Sequence, residues 1–419
     1  MSFALATRIL DNGVQVTASR DELSPGAAVN LWYRVGSADE TPGASGFAHL
    51  FEHLMFAGSA HVHGDHTEIL EALGGVSNAT TSHDRTNYFE TVPPGVLPLA
   101  LWLEADRLAS LRVSSTALRT QRAVVHEEKR QRYDNQPYGD QLELLLGLAF
   151  PRSHPYATPT IGIMSDLDAA SLDDVQSFHA AWYRPDNLHV VVVSPQTDDE
   201  VFHLVEKYLG DVSASDGAAP EPARPEPLPA LTGVPRLAVQ RPVPRSVLHL
   251  MWRTPPATHD DRPAVAVALD ILATGQACRL HHDLVRDASL AEGVGAGDFG
   301  FTRGTSLSTL TIQPQADVGL AQLEESAIDH LTQLTANGPT DAEMSRVRAQ
   351  LEREWFGGLA DAGERADAIN EDWANWGDPA HLNEHLDAWL AVTPEDVARA
   401  AATWLNPDAR AVLEYEGVQ

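Results

Sequence analysis

Cysteine occurs once in the 419 residues, at Cys278, so no disulfide can form within the chain. Lysine is nearly as scarce, found only at Lys129 and Lys207, and 29 basic residues face 59 acidic ones for a formal net charge of −30. That balance lacks the basic footprint that nucleic acid and anionic lipid surfaces require, so neither is expected as a partner. Long apolar runs are missing too. Val190-Val191-Val192-Val193 reads as a buried strand, far too short to cross a bilayer, and residues 1–10 hold one arginine and no apolar core. The expectation is a soluble cytoplasmic protein, or a periplasmic one if a signal has been removed. What is present is enough for folding: 43% hydrophobic residues over this length can fill the cores of two or three domains.

Proline and glycine concentrate between Ser213 and Pro235, in a run containing Pro220, Pro222, Pro225, Pro227 and Pro229. Such a run cannot be helix or central strand and reads as a linker. It predicts a domain over residues 1–213, a linker over 214–236 and a second domain over 237–419. Each half opens on β-type residues, Ala28 to Val35 in the first and Ser246 to Trp252 in the second, and then turns helical. A weak internal duplication is the natural reading.

The densest chemistry lies in His49-Leu50-Phe51-Glu52-His53. Apolar residues at helical spacing (Leu50, Phe51, Leu54) and a stop signal at Gly58-Ser59 predict a helix here. On it His49 and His53 stand one turn apart on one face, able to reach a single metal ion, while Glu52 lies beside them. His-x-x-Glu-His is the inverse of the commoner zinc-hydrolase order, and either order needs a carboxylate that is not a ligand to take a proton from water. Glu52 is the candidate base. Catalytic zinc usually takes three protein ligands, so a third must come from a second element, and the helical stretch Gln121 to Arg130, bounded by Asn135, Pro137 and Gly139, is a source. After the Gly74-Gly75 turn, Asn78 to Ser82 is rich in small and β-branched residues and reads as a short strand at a sheet edge, able to hold an extended peptide by backbone hydrogen bonds.

These motifs together resemble the pitrilysin family of zinc peptidases, which includes insulysin and the mitochondrial processing peptidase. The resemblance runs through Leu10-Asp11-Asn12-Gly13, Gly36 to Glu40, the zinc run, Leu73 to Ser82 with Asp84, Thr86 and Tyr88, then His154-Pro155-Tyr156, Gly162 and Trp182 to Asn187. It implies an α+β fold of two similar domains, each a mixed, mainly antiparallel sheet packed by helices, with zinc in the first domain only. Overlaying the family's downstream Glu-Arg-x-Val-x-x-x-Glu run puts the third ligand at Glu128, with Glu127 one residue away as the fallback. The family's second glutamate, seven residues earlier, is Gln121 here, which puts the tuning of the site in doubt. The family's substrate-binding strand carries over to Asn78 and Ala79.

The second half departs from the family in one place. Gly275 to Leu280, with Leu284-Val285-Arg286, matches a segment whose arginine and a following tyrosine bind substrate and polarise the scissile carbonyl in many members. Here Glu292 stands where the tyrosine would be, and an ionised carboxylate cannot donate to an oxyanion. The resemblance therefore implies a second, homologous subunit without zinc that supplies the pair, making this chain the catalytic half of a heterodimer; a homodimer is the other arrangement.

The expected function is a zinc metalloendopeptidase, with one Zn2+ per chain, that cleaves unfolded peptides in an enclosed chamber. A dedicated peptide-precursor maturation protease would share the chemistry. A non-catalytic assembly or core-type subunit is the contrasting class, and such subunits typically lose the zinc residues that this chain keeps. His61, His63 and His66 are expected in a solvated loop, and His126 on a partly exposed helix face.

Overall fold

The computed structural model describes residues 2–213 and 217–418; Ala214, Ser215 and Asp216, at the start of the expected linker, lie outside the described residues. Among the described residues, β1 (Ala6–Ile9), β2 (Gln15–Arg20), β3 (Ala27–Tyr33), β4 (Val76–Thr81), β5 (Thr86–Val92) and β6 (Leu188–Ser194) form a sheet in the order β1-β2-β6-β3-β5-β4. A second sheet contains β7 (Arg236–Arg241), β8 (Val247–Thr254), β9 (Ala291–Asp298), β10 (Ser306–Pro314) and β11 (Ala411–Gly417) in the order β7-β11-β8-β10-β9. In each sheet one pair is parallel, β2 with β6 and β7 with β11, and the other pairs are antiparallel. Setting β1 aside, the order in which the chain fills the five positions is the same in both sheets. The expected α+β architecture of two similar, mainly antiparallel sheets is the architecture found, and the repeated strand order is its most specific sign of duplication.

Central strands explain their own composition. Val190, Val191, Val192 and Val193 are fully buried, and every residue of β3 is buried, so these strands are covered on both faces and read as continuous apolar runs.

The chain forms two compact units that do not follow the halves of the sequence. The first unites Met1–Lys129, Pro159–Ala223 and Trp355–Glu384; the second unites Arg130–Thr158, Arg224–Glu354 and His385–Gln419. The boundary at Ala223 and Arg224 lies inside the proline-rich stretch, while the exchange of the other segments has no counterpart in the linker pattern. In the first unit the helix Ala362–Trp376 lies on β3 and β6, burying Ala366 and Ile369 against Ala28, Val191 and Val193. In the second, Arg262–Ala273, Leu320–Asn337 and Pro394–Trp404 enclose a core with Leu250, Trp252, Leu310 and Val412. No helix among the described residues is long and apolar enough to cross a membrane.

Candidate metal centre

The helix α1 (Phe47–Leu54) buries Phe47, Leu50, Phe51 and Leu54, spaced three, four and seven residues apart, and this stripe seats it in the first unit. Gly46, at φ 93°, turns the chain into it, and a Cβ there would press on the Ile161 carbonyl at 3.0 Å. The first turn is closed by Glu40, whose Oε2 accepts from Gly46 N at 2.8 Å and whose Oε1 accepts from Ala48 N at 2.9 Å. Burial pushes the Glu40 carboxyl up to about 8, and the two N–H donors pull against that shift by favouring the charged form.

His49 and His53 face each other edge to face, with ring centroids 4.8 Å apart. α2 (Thr67–Glu71) and α3 (Leu97–Ser110) follow in sequence, and then α4 (Ser115–Lys129), which packs on α1 and brings in Glu128. Glu128 Oε2 is 3.1 Å from His53 Nε2 and 3.5 Å from His49 Nε2. Glu127, one position back, is exposed, so the helical rotation between neighbours separates the two carboxylates. Gln121, two turns before Glu128, is half-buried.

One ligand atom from each of His49, His53 and Glu128 falls within a 4.8 Å cluster. Two donors each about 2.0–2.1 Å from one tetrahedral ion stand roughly 3.3 Å apart, and the two imidazole-to-carboxylate distances bracket that value. Two imidazoles and one carboxylate are also the donor set that suits zinc, so the residues fit the metal that the motif implies. A second such cluster, His66, Glu90 and Glu104, fits a metal poorly: Arg107 already binds Glu104 through two nitrogens, at 2.8 Å and 2.5 Å, and lies 3.4 Å from His66 Nε2.

Glu52 is half-buried on α1, and its Oε2 accepts a hydrogen bond from Thr81 Oγ1 at 2.6 Å. Burial pushes its carboxyl above the usual range, and the Thr81 hydroxyl opposes that shift. Sequence reasoning did not single out Thr81. In the structure Ala79 is buried and Thr81 half-buried on one face of β4, while Asn78 and Thr80 are exposed on the other. β4 is the last strand of its sheet and pairs with β5 alone among the described residues, so its outer edge is open. Asn78 Oδ1 accepts from the backbone N–H of Ala79 at 2.9 Å.

The remaining histidines separate. His66 is not in a solvated loop but buried, stacked on Phe56 with ring centroids 5.3 Å apart, and burial holds its imidazole down at about 4. His61 binds the Asp106 carboxylate at 2.6 Å and His126 binds Asp168 at 2.9 Å. In the second unit Arg279 holds Glu343 at 2.6 Å and 3.0 Å, Arg286 holds Asp287 at 2.9 Å, and Glu292 pairs with Arg245 at 3.0 Å.

Comparison with known proteins places the chain in a family. Residues 15–162 match the family model described as Insulinase (Peptidase family M16), and residues 169–351 match the one described as Peptidase M16 inactive domain. The chain belongs to this family, the pitrilysin or M16 peptidases. The zinc protease PqqE of Helicobacter pylori is 30% identical over 400 residues, which span 94% of this chain and 88% of that protein. A crystal structure of a protease from Helicobacter pylori superposes with a TM-score of 0.92 at 26% identity, covering 99% of this chain and 100% of that one. Pitrilysin shares the fold, with a TM-score of 0.81 at 18% identity, and the match spans 99% of this chain but 45% of pitrilysin.

Proposed function

We propose that this chain is a zinc metalloendopeptidase for unfolded peptides, holding one zinc ion through His49, His53 and Glu128. When bound, the metal supplies an electrophile that polarises the scissile carbonyl and makes water a stronger acid. The chain's own residues do the rest. Glu52, beside the ligands but outside their cluster, accepts the proton of the attacking water and returns it to the leaving amine. The open edge of β4 binds the substrate as an added strand, with Asn78 and Ala79 as contacts, reading backbone more than side chains. Residues 1–213 are the catalytic half and 237–419 the non-catalytic half of the duplication.

We also propose that a homologous subunit lacking zinc completes the site in an enclosed chamber. Its support is local: at the positions where the family places its arginine and tyrosine, this chain has Arg286 engaged by Asp287 and Glu292 engaged by Arg245.

The observation that carries the reading is the meeting of His49 and His53 with Glu128, from separate helices, next to a carboxylate outside the cluster. Metal content and cleavage of a flexible peptide by wild type and Glu52→Gln, with and without the neighbouring subunit, test it. The variant should keep its zinc and lose turnover by about a hundredfold or more. Loss of zinc together with activity would make Glu52 a ligand and overturn the assignment of roles.

A further inference from the structure

Thr81 is the last residue of β4, the edge strand, and its hydroxyl reaches Glu52 on α1. Its own position is strongly constrained. It pairs across the hairpin with Thr86, whose buried hydroxyl donates to the Val35 carbonyl at 2.9 Å. The turn that follows is bound by the segment before α1: Ser37 N donates to Ser82 O at 3.1 Å and Ala38 N to His83 O at 2.9 Å. Gly36 lies so close to the turn that a Cβ would collide with the His83 carbonyl. Three residues beyond Ser37, Glu40 closes the first turn of α1. A single short stretch, residues 36–40, thus fixes both the hairpin that carries Thr81 and the helix that carries Glu52.

We infer that Thr81 is a positioning residue for Glu52, and that it couples the orientation of this base to occupancy of the β4 edge. The inference rests on the peptidase reading above. A glutamate side chain has three rotatable bonds, and a carboxylate beside two imidazoles has competing partners. A hydroxyl donor on a fixed strand engages Oε2 and leaves Oε1 for water. Ala79 and Thr81 lie on one face of β4, two residues apart, so a peptide hydrogen-bonded along that edge restrains the strand that sets the base.

The test compares Thr81→Val, which keeps the shape and removes the donor, with Thr81→Ser, which keeps the donor, in the full chain with its metal. Thr81→Ala serves as a second donor-free variant. The readouts are kcat and KM on a flexible peptide, zinc content, melting temperature, and the position of the Glu52 carboxylate in crystals of the metal-free variant. Thr81→Val and Thr81→Ala are expected to lose about 10–100-fold in kcat with KM held within about twofold and zinc retained, and Thr81→Ser to recover kcat to within about threefold of wild type. In crystals the Glu52 carboxylate of the donor-free variants should move by about 1 Å or more. Unchanged kcat, a serine variant as impaired as the valine one, a change confined to KM, or an unmoved carboxylate overturns the inference. Glu52→Gln measured alongside separates the two claims. If it is inactive while Thr81→Val is normal, only the positioning role fails; if it turns over like wild type, Glu52 is not the base and this inference fails with that role; if the zinc-loaded wild type cleaves no peptide, the peptidase reading itself fails.

Discussion

Asp367 Oδ1 accepts a hydrogen bond from Asn87 Nδ2 at 2.8 Å, joining a helix from late in the chain to β5, the strand beside the edge strand β4. The same oxygen accepts from Asn30 Nδ2 and from Trp32 Nε1, each at 2.9 Å, and Asn87 Oδ1 in turn accepts from Thr80 Oγ1 at 2.5 Å. One carboxylate therefore gathers donors from β3 and β5 and reaches β4 through a single amide.

Asp367→Ala removes the shared acceptor of three donors, all on the buried residues Asn30, Trp32 and Asn87, and leaves Asn87 Nδ2 only Asn30 Oδ1 at 3.4 Å. It should destabilise the first unit by roughly 2–4 kcal/mol, read as a lower denaturation midpoint with an unchanged slope. Asp367→Asn, which keeps the accepting oxygen, should cost less than half as much. Equal losses in the two variants would show that the helix depends on packing and not on this acceptor.

Glu90 and Glu104 sit together at 1% exposure each, and they should respond to substitution in opposite ways. Burial, reinforced by the Glu104 charge, pushes the Glu90 carboxyl far above its usual range, so it stays protonated in the fold. Burial also pushes Glu104 upward, but Arg107, a hydrogen bond from Glu90 and the nearby His66 together hold that carboxyl below its usual range. A carboxyl whose folded pKa is raised contributes stability fully below its unfolded value of about 4.5 and loses it as pH rises. Glu90→Gln mimics the protonated form, so its melting temperature should gain on wild type as pH rises above about 5. Glu104→Gln leaves Arg107 buried without its counter-charge and should cost roughly 3–5 kcal/mol at neutral pH. A Glu90→Gln protein that loses ground with rising pH would contradict this assignment of charge.

Gly36→Ala tests the scaffold behind the base. Its new methyl group meets backbone, not a mobile side chain, so the hairpin turn must shift. A loss of roughly 1–3 kcal/mol in stability is expected, with kcat falling more than KM rises. Normal kcat in a measurably destabilised protein would separate the hairpin from catalysis.

The legible part of this protein was the part written in short range. His49, Glu52 and His53 share one helical turn, so spacing alone set their faces, and two similar runs of β-type residues pointed to a duplication but not to its strand order. Glu128 lies 75 residues from His53, where no periodicity connects them, and it emerged from a family motif instead. Thr81 was hidden because a threonine in a strand is ordinary, and only the register against Thr86 shows which way it faces. Asp367 was hidden for a related reason: an acid in the middle of an amphipathic helix reads as a solvent face, yet it serves as the acceptor for a sheet. The exchange of 130–158 and 355–384 between the units left no mark, because the proline-rich stretch is the only interruption that composition displays.

The most direct test is zinc per chain, measured after dialysis on wild type, Glu128→Gln and Glu127→Gln under identical conditions. About one zinc in wild type and in Glu127→Gln, with a fall of at least tenfold in occupancy for Glu128→Gln at limiting metal, is the expected result. Zinc retained in full by Glu128→Gln, or absent from the wild-type protein after loading, would contradict a centre built from His49, His53 and Glu128.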